Sequence, residues 1–109
     1  MKSFTVLLLI AMLAVIGTVK AETPSQAMSH SCDVNAAKCT HTDATTKFVA
    51  HTACVCKHYT NAGNGNCVKG CQRYNPGFGE DQCSDECDGM QVSEASSDCI
   101  SMPKGCPQP

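Results

Sequence analysis

The sequence predicts a small disulfide-rich protein with short helices, a minor β-strand or β-hairpin and little conventional hydrophobic core. Three observations lead to this prediction: an N-terminal segment typical of exported proteins, ten cysteines, and very few large apolar residues after that segment. Exported chains fold in an oxidising compartment, where cysteines form disulfides. We therefore expect covalent cross-links, in place of buried apolar side chains, to hold the fold together.

The first residues have the layout of a secretory signal peptide. Lys2 precedes the apolar run Val6–Ile16, and Ala21 stands just before the expected cleavage position. The apolar run is shorter than the roughly 18 residues needed to cross a bilayer, so a membrane anchor is only the alternative reading. We expect residues 1–21 to be removed and the protein to be secreted and extracellular, beginning at Glu22.

The cysteines all follow this segment, and they make up about 11% of the remaining chain, above the roughly 8–10% that indicates a disulfide scaffold. Because their number is even, we expect five disulfides and no free thiol. The disulfide residues are Cys32, Cys39, Cys54, Cys56, Cys67, Cys71, Cys83, Cys87, Cys99 and Cys106.

Large apolar residues are scarce in the same part of the chain. Leu, Ile, Val and Phe make up about 9% of it, below the roughly 20% under which a chain without cross-links is usually disordered. Each disulfide can contribute roughly 2–4 kcal/mol, mainly by restricting the unfolded chain. The sulfur atoms are therefore expected to form the core.

The first part of the chain after the expected signal peptide is predicted to contain a polar segment followed by a strand. Residues 22–31 are polar and contain no cysteine, which predicts a flexible lead or a short propeptide before a single disulfide-rich domain at 32–109. Residues 47–59 are rich in β-branched and aromatic residues and predict a strand. On that strand Cys54 and Cys56 would point to the same face.

Two pairs of cysteines share the spacing C-x3-C: Cys67 with Cys71, and Cys83 with Cys87. On a helix, residues four apart lie on one face. The sequence Asn-Pro-Gly at 75–77 must end the first helix and turn the chain. Two antiparallel helices joined by Cys67–Cys87 and Cys71–Cys83 would form a cystine-stapled helical hairpin.

The second helix has clear boundaries, because Gly79 precedes two acids that favour a helix N-terminus and Gly89 can end it. A different pairing is also compatible with the spacing. In that alternative, Cys54 and Cys56 on the predicted strand clamp one of the C-x3-C helices, as in cystine-stabilised helix and sheet domains. The number of cysteines allows about 945 pairings, so the sequence leaves both interpretations open.

No pattern in the sequence indicates catalysis or a bound cofactor. There is no G-x-S-x-G motif and no cysteine left over as a nucleophile, so we expect no enzyme activity. His51 and His58 flank Cys54 and Cys56 with residue types that zinc accepts, but structural zinc sites space their cysteines differently. The acidic residues at 80–88 lack the calcium-loop pattern. We expect no metal and no cofactor.

Charge is unevenly distributed along the chain. Residues 32–78 carry five cations and two acids, whereas residues 79–109 carry seven acids and one cation. A chain with net negative charge lacks the basic patch of nucleic-acid-binding proteins and the basic amphipathic helix of membrane-lytic peptides. We therefore expect the protein to act as a monomer that binds an extracellular protein, which is a channel, a receptor or a protease. We expect it to bind no nucleic acid and not to insert into a membrane.

Recognition by an exposed surface remains as the expected activity. Arg and aromatic residues are common anchors at protein interfaces, and the sequence places several of them with lysines in segments expected to be loops. The candidate binding surface consists of Lys57, Tyr59, Lys69, Arg73, Tyr74 and Phe78.

A signal peptide, a short polar lead and a compact ten-cysteine domain together resemble animal venom toxin precursors. The larger conotoxin-like polypeptides of marine snails are the most similar in plan, although the adjacent Cys-Cys pair frequent in conotoxins is absent. The resemblance implies a toxin-like ligand that modulates an ion channel or receptor without chemistry. The alternatives are a protease inhibitor presenting Lys57, Lys69 or Arg73 in a disulfide-held loop, and an extracellular signal or pheromone.

Overall fold

The computed structural model describes residues 22–93 and 98–109, and the segment expected to be a signal peptide, 1–21, lies outside these residues. Four helices form the described part of the chain. They are α1 (Pro24–Ala36), α2 (Ala44–Ala62), α3 (Cys67–Tyr74) and α4 (Glu80–Asp88). Helices α1 and α3 pack on α2, and α4 packs on α3. The molecule is a small disulfide-rich helical protein, as the sequence predicts.

Helix α1 corrects the prediction of a flexible lead at 22–31. Thr23 caps the helix, because its hydroxyl accepts a hydrogen bond from the Gln26 amide while the Gln26 side chain accepts one from the Thr23 amide. Pro24 occupies the first helical turn, where its missing N–H leaves no bond unmade. Met28 and Cys32, one turn apart, are buried on the same face. The segment is therefore a packed helix from Pro24 onward.

Helix α2 replaces the strand predicted at 47–59. Asp43 caps it by accepting a hydrogen bond of 2.9 Å from the Thr46 amide. Along α2 the buried residues Ala53 and Cys54 lie three and four positions after Ala50, which matches the helical period. The strand prediction was wrong because β-branched and aromatic composition does not distinguish a strand from a helix that packs on several sides.

The helical form of α2 also excludes the clamp alternative. Residues that are two positions apart on a helix point in different directions. Cys54 and Cys56 accordingly form disulfides with different partners. Cys54 is linked to Cys32 of α1, and Cys56 is linked to Cys99 in the C-terminal segment. Neither is joined to a C-x3-C pair.

The cystine-stapled hairpin is confirmed. Cys67 is linked to Cys87 and Cys71 to Cys83, with Cα atoms 6.0 and 5.7 Å apart. Asn66 caps α3 by accepting a hydrogen bond from the Lys69 amide. The second helix begins after Gly79 and ends at Gly89 as expected.

A turn at Asn64-Gly65 joins α2 to α3. Both residues have positive φ, 53° for Asn64 and 95° for Gly65, and the Gly65 amide donates to the Thr60 carbonyl. In the described residues the only β pairing is an isolated antiparallel bridge between Gln91 and Cys99, in place of the predicted minor strand.

The C-terminal segment, 98–109, is tied back onto the helices at both ends. Cys99 is linked to α2, and Cys106 is linked to Cys39 just after α1. On either side of Cys106, the Gly105 carbonyl accepts hydrogen bonds from Thr40 and the Asn35 side chain donates to the Pro107 carbonyl. Every cysteine is in a disulfide, as expected.

The core consists mainly of sulfur. Eight of the ten cysteines are buried, together with two methionines, three alanines and Tyr59. None of the eight Leu, Ile, Val or Phe residues that follow position 21 is buried. The expectation that cystines take the place of large apolar side chains is therefore confirmed.

Helices α2 and α3 approach so closely that only glycine fits at their contact. A Cβ added to Gly70 would lie 1.6 Å from the Tyr59 carbonyl oxygen, well inside any normal contact. The backbone of α3 thus rests directly on the backbone of α2 near its C-terminal end. This contact connects the stapled hairpin to the rest of the molecule.

Candidate binding surface

The three cations of the predicted surface are exposed, and all of them lie on helices. Lys57 is on α2, and Lys69 and Arg73 are four residues apart on α3, so they share one face. The Arg73 guanidinium donates to the carbonyl of Ala62, which ends α2. The expectation that these side chains stand on disulfide-held loops was wrong.

Tyr59 does not belong to the surface, because only 4% of it is exposed. Its hydroxyl accepts a hydrogen bond of 3.1 Å from the Asn75 side chain, at the end of α3. Burial raises the pKa of Tyr59 above its ordinary value of 10.0, and the nearby Glu86 carboxylate raises it further. Tyr59 therefore joins α2, α3 and α4 from the inside, and its placement on the surface was wrong.

The two remaining aromatic candidates are half-buried. The ring of Tyr74 lies 5.7 Å from that of Tyr59 and meets the ring of His58 edge to face. Phe78 packs against the buried cluster of cystines. Both side chains mainly cover the disulfides, so three of the six predicted residues remain as exposed contacts.

One group of metal-ligand types is present within the described ranges. The ligand atoms of Cys32, Cys54 and His58 lie within 4.8 Å of one another. The two sulfurs are joined to each other in a disulfide, so neither is available as the thiolate that zinc binds. In this oxidation state the group cannot act as a metal site.

A Ser, a His and an Asp also meet between α1 and α2. The His51 Nε2 atom lies 3.4 Å from the Ser29 hydroxyl and 3.2 Å from an Asp33 carboxylate oxygen. In a catalytic triad the serine and the carboxylate contact opposite nitrogens of the ring, which allows the ring to take a proton from one side while it is oriented from the other. Here both contact the same nitrogen, so the arrangement serves as a surface polar contact.

Sequence reasoning missed an exposed aromatic side chain. Phe48, on the first turns of α2, is 72% exposed. It borders a depression of about 470 Å³ between α1 and α2 that is also lined by Ala36, Ala37 and His51. The exposure of Phe48 was not predicted from the sequence because residues 47–59 were assigned to a strand. The helical spacing of Phe48, Thr52 and Val55 is the sequence signal that places these side chains on one face of a helix.

A second shallow depression, of about 380 Å³, continues along α2 toward α4. Its lining includes Thr52 and Val55 of α2 and Met90 after α4, with Asp85 and Glu86 along one side. His51 lines both depressions, so they adjoin each other at this residue. We call their combined surface the α2 groove. It is lined by Asp33, Ala36, Ala37, Lys47, Phe48, His51, Thr52, Val55, Asp85, Glu86, Gly89 and Met90.

Within residues 22–93 and 98–109, no helix is both long enough and apolar enough to cross a membrane. No family model, no curated protein and no solved structure matches this chain.

Proposed function

We propose that this protein is an exported, toxin-like ligand that binds an extracellular protein, either a channel or a receptor, and changes its activity without chemistry. The observation that supports this proposal is the cystine core. Five disulfides hold four helices in place while Phe48, Lys69 and Arg73 stay exposed on them. A rigid frame reduces the entropy lost on binding, which favours recognition by a small surface.

The disulfides also support export. All ten cysteines are paired, and such dense cross-linking is typical of proteins that fold in oxidising compartments. The signal-like pattern at 1–21 is consistent with this route. Secretion into a venom is the form of export that the overall layout favours.

The protease-inhibitor alternative receives no support from the positions of the cations. A residue that enters a protease cleft must lie on an extended segment whose backbone can pair with the enzyme. Lys57, Lys69 and Arg73 are all within helices, where the backbone groups are already bonded. A signal or pheromone would use the same kind of rigid surface and differs only in its source and receptor.

The proposal is tested with the oxidised protein comprising residues 22–109, applied to cells that express single voltage-gated or ligand-gated channels. We expect a reproducible change in the current of at least one channel type. The matched control is the same protein after reduction and alkylation, which should be inactive because the frame is lost. Equal effects from both forms, or no effect in any channel or receptor assay, would contradict the proposal. Nanomolar inhibition of a trypsin-like enzyme that Arg73→Ala abolishes would favour the inhibitor alternative.

A further inference from the structure

We propose that the α2 groove is the docking site for a cationic amphipathic segment of the partner protein. The inference rests on the proposed binding function and goes beyond it, because it assigns the contact face and the chemistry of the occupant. It also moves the expected contact away from the cations of α3, which the sequence indicated.

The groove presents an exposed aromatic side chain beside a floor that is largely buried. Phe48 is 72% exposed at one end, and at the other end Val55 is half-buried and Met90 is buried. Ala36 and Ala37, at the end of α1, line the groove at the Phe48 end. An exposed aromatic side chain that borders a depression is a common anchor at protein interfaces.

The dimensions suit a short helix or a short extended segment. Phe48, Thr52 and Val55 follow the i, i+4, i+7 positions of α2 and so form one line along the helix. Seven helical residues span about 10 Å. That length accommodates two turns of a partner helix, whose apolar residues at the same spacing would lie between α1 and α4.

The borders of the groove carry mostly negative charge. Asp85 and Glu86 lie along the α4 side, and Asp33 lies on the α1 side. The basic residues of the lining are Lys47, at one end, and His51, whose ring contacts the Asp33 carboxylate at 3.2 Å. Three carboxylates against one lysine favour an occupant whose flanking residues are lysine or arginine.

Two other occupants are less consistent with these borders and become outcomes of the test. A second copy of the chain could insert the cations Lys69 and Arg73 of α3, but this face offers no exposed apolar anchor comparable to Phe48. The apolar run Val6–Ile16 could cover the floor if the first 21 residues were retained, but only Lys2 and Lys20 would complement the carboxylates.

The experiment uses the oxidised protein, residues 22–109, labelled with ¹⁵N and titrated with three synthetic twelve-residue helical peptides. One peptide combines leucine with lysine, the second combines leucine with glutamate, and the third combines serine with lysine. We expect saturable binding of the Leu/Lys peptide alone, with shift changes concentrated at Phe48, Thr52, Val55 and Asp85. Equal binding of the Leu/Glu peptide, shift changes confined to α3, or no binding would overturn the inference.

Variants with matched controls separate the apolar and the charged contributions. Phe48→Ser should weaken binding of the Leu/Lys peptide at least tenfold, whereas Val92→Ser, at a residue 65% exposed outside the groove, should leave it unchanged. Asp85→Asn should weaken binding several-fold, and Asp88→Asn, on the same helix but outside the groove, should have no effect. Glu86 is left intact because its carboxylate contacts the sulfur of Cys71 inside the hairpin. Identical losses in variants and controls would overturn the inference.

The oligomeric state and the partner assay keep the two proposals distinguishable. A concentration-dependent dimer that Phe48→Ser abolishes would assign the groove to a second copy and overturn the proposed occupant. If the native protein and the Phe48→Ser variant modulate a channel equally well, the proposed function stands and the inference about the groove is overturned. If the peptide binds at the groove but the protein has no channel or receptor activity, the inference about the groove stands and the proposed function is contradicted.

Discussion

The α3–α4 hairpin and the α1–α2 region with its C-terminal segment are cross-linked in different ways. The two disulfides of the hairpin join residues 12 and 20 positions apart. The three disulfides of the other region join residues 22, 43 and 67 positions apart. The hairpin is therefore a local unit, whereas the α1–α2 region depends on contacts between distant parts of the chain.

This difference determines what each region contributes. The hairpin needs only two short helices and a turn, and its sulfurs become aligned as soon as each helix forms. The other region carries the α1–α2 half of the groove and most of the exposed apolar surface, including Phe48. The two regions meet at Gly70, where backbone lies against backbone. Variants at this junction and within each region test whether they behave as separate units.

The largest effect is expected at the junction. Gly70→Ala places a Cβ atom 1.6 Å from the Tyr59 carbonyl oxygen, so α3 must move away from α2. We expect a loss of unfolding free energy at or above about 3 kcal/mol, the upper end of the usual range for overpacking. Chemical denaturation measures this loss. The control is Gly77→Ala, whose Cβ has no neighbour within 4 Å and should change stability little. Equal stability of the two variants would contradict the close contact.

The next effect comes from removing one cross-link of the hairpin. The double variant Cys71→Ala/Cys83→Ala opens a loop of 12 residues, for which the chain-entropy relation gives a loss of about 3 kcal/mol. Amide hydrogen exchange should show lost protection in α3 and α4 and retained protection in α1 and α2. The matched variant Cys32→Ala/Cys54→Ala should show the reverse pattern. Loss of protection in all four helices in either variant would mean that the two regions unfold as one unit.

A smaller effect is expected at Tyr59, which contacts both regions. Tyr59→Phe removes the acceptor of the Asn75 hydrogen bond and should cost about 1 kcal/mol. Because burial raises the pKa of Tyr59, the native protein should lose stability as pH rises above 10.0 through the raised value. Denaturation at neutral and alkaline pH should show this decline in the native sequence and a smaller one in Tyr59→Phe. Tyr74→Phe serves as the aromatic control, and an identical decline in all three proteins would contradict the assignment.

The smallest effect is a pH dependence within the α1–α2 region alone. Hydrogen bonds from the Thr46 amide and hydroxyl lower the pKa of Asp43 below 3.8. The ionised cap therefore stabilises the fold above that value, and its contribution is lost as pH falls through the lowered pKa. Asp43→Asn keeps an acceptor but does not titrate, so its melting temperature should fall less on acidification. Thr46→Val, which removes only the hydroxyl, should show an intermediate dependence, and a full acid dependence in Asp43→Asn would contradict the prediction.

The sequence predicted the parts of the fold that depend on neighbours in the chain. The hairpin followed from the C-x3-C spacing, and the limits of α4 followed from Gly79 and Gly89. The five disulfides and the sulfur-rich core followed from composition. Each of these inferences needs only the helical period, the cysteine count or the scarcity of large apolar residues.

What the sequence did not predict depends on contacts between distant segments. Composition at 47–59 favoured a strand, but the Asp43 cap and the burial of Ala50 and Cys54 on one side make it a helix. Tyr59 was placed on the surface because nothing local shows that α3 crosses over it. Phe48 was overlooked as a contact for the same reason, since its exposure depends on where α1 ends.

The absence of large apolar side chains from the core affects how the protein responds to temperature. The heat-capacity increase on unfolding comes mainly from newly hydrated apolar surface. Here the buried set is dominated by cystine, alanine and methionine, and the cross-links limit how far the unfolded chain can expand. The free energy of unfolding should therefore curve only weakly with temperature, so that the stability of this small chain changes little as it is warmed or cooled.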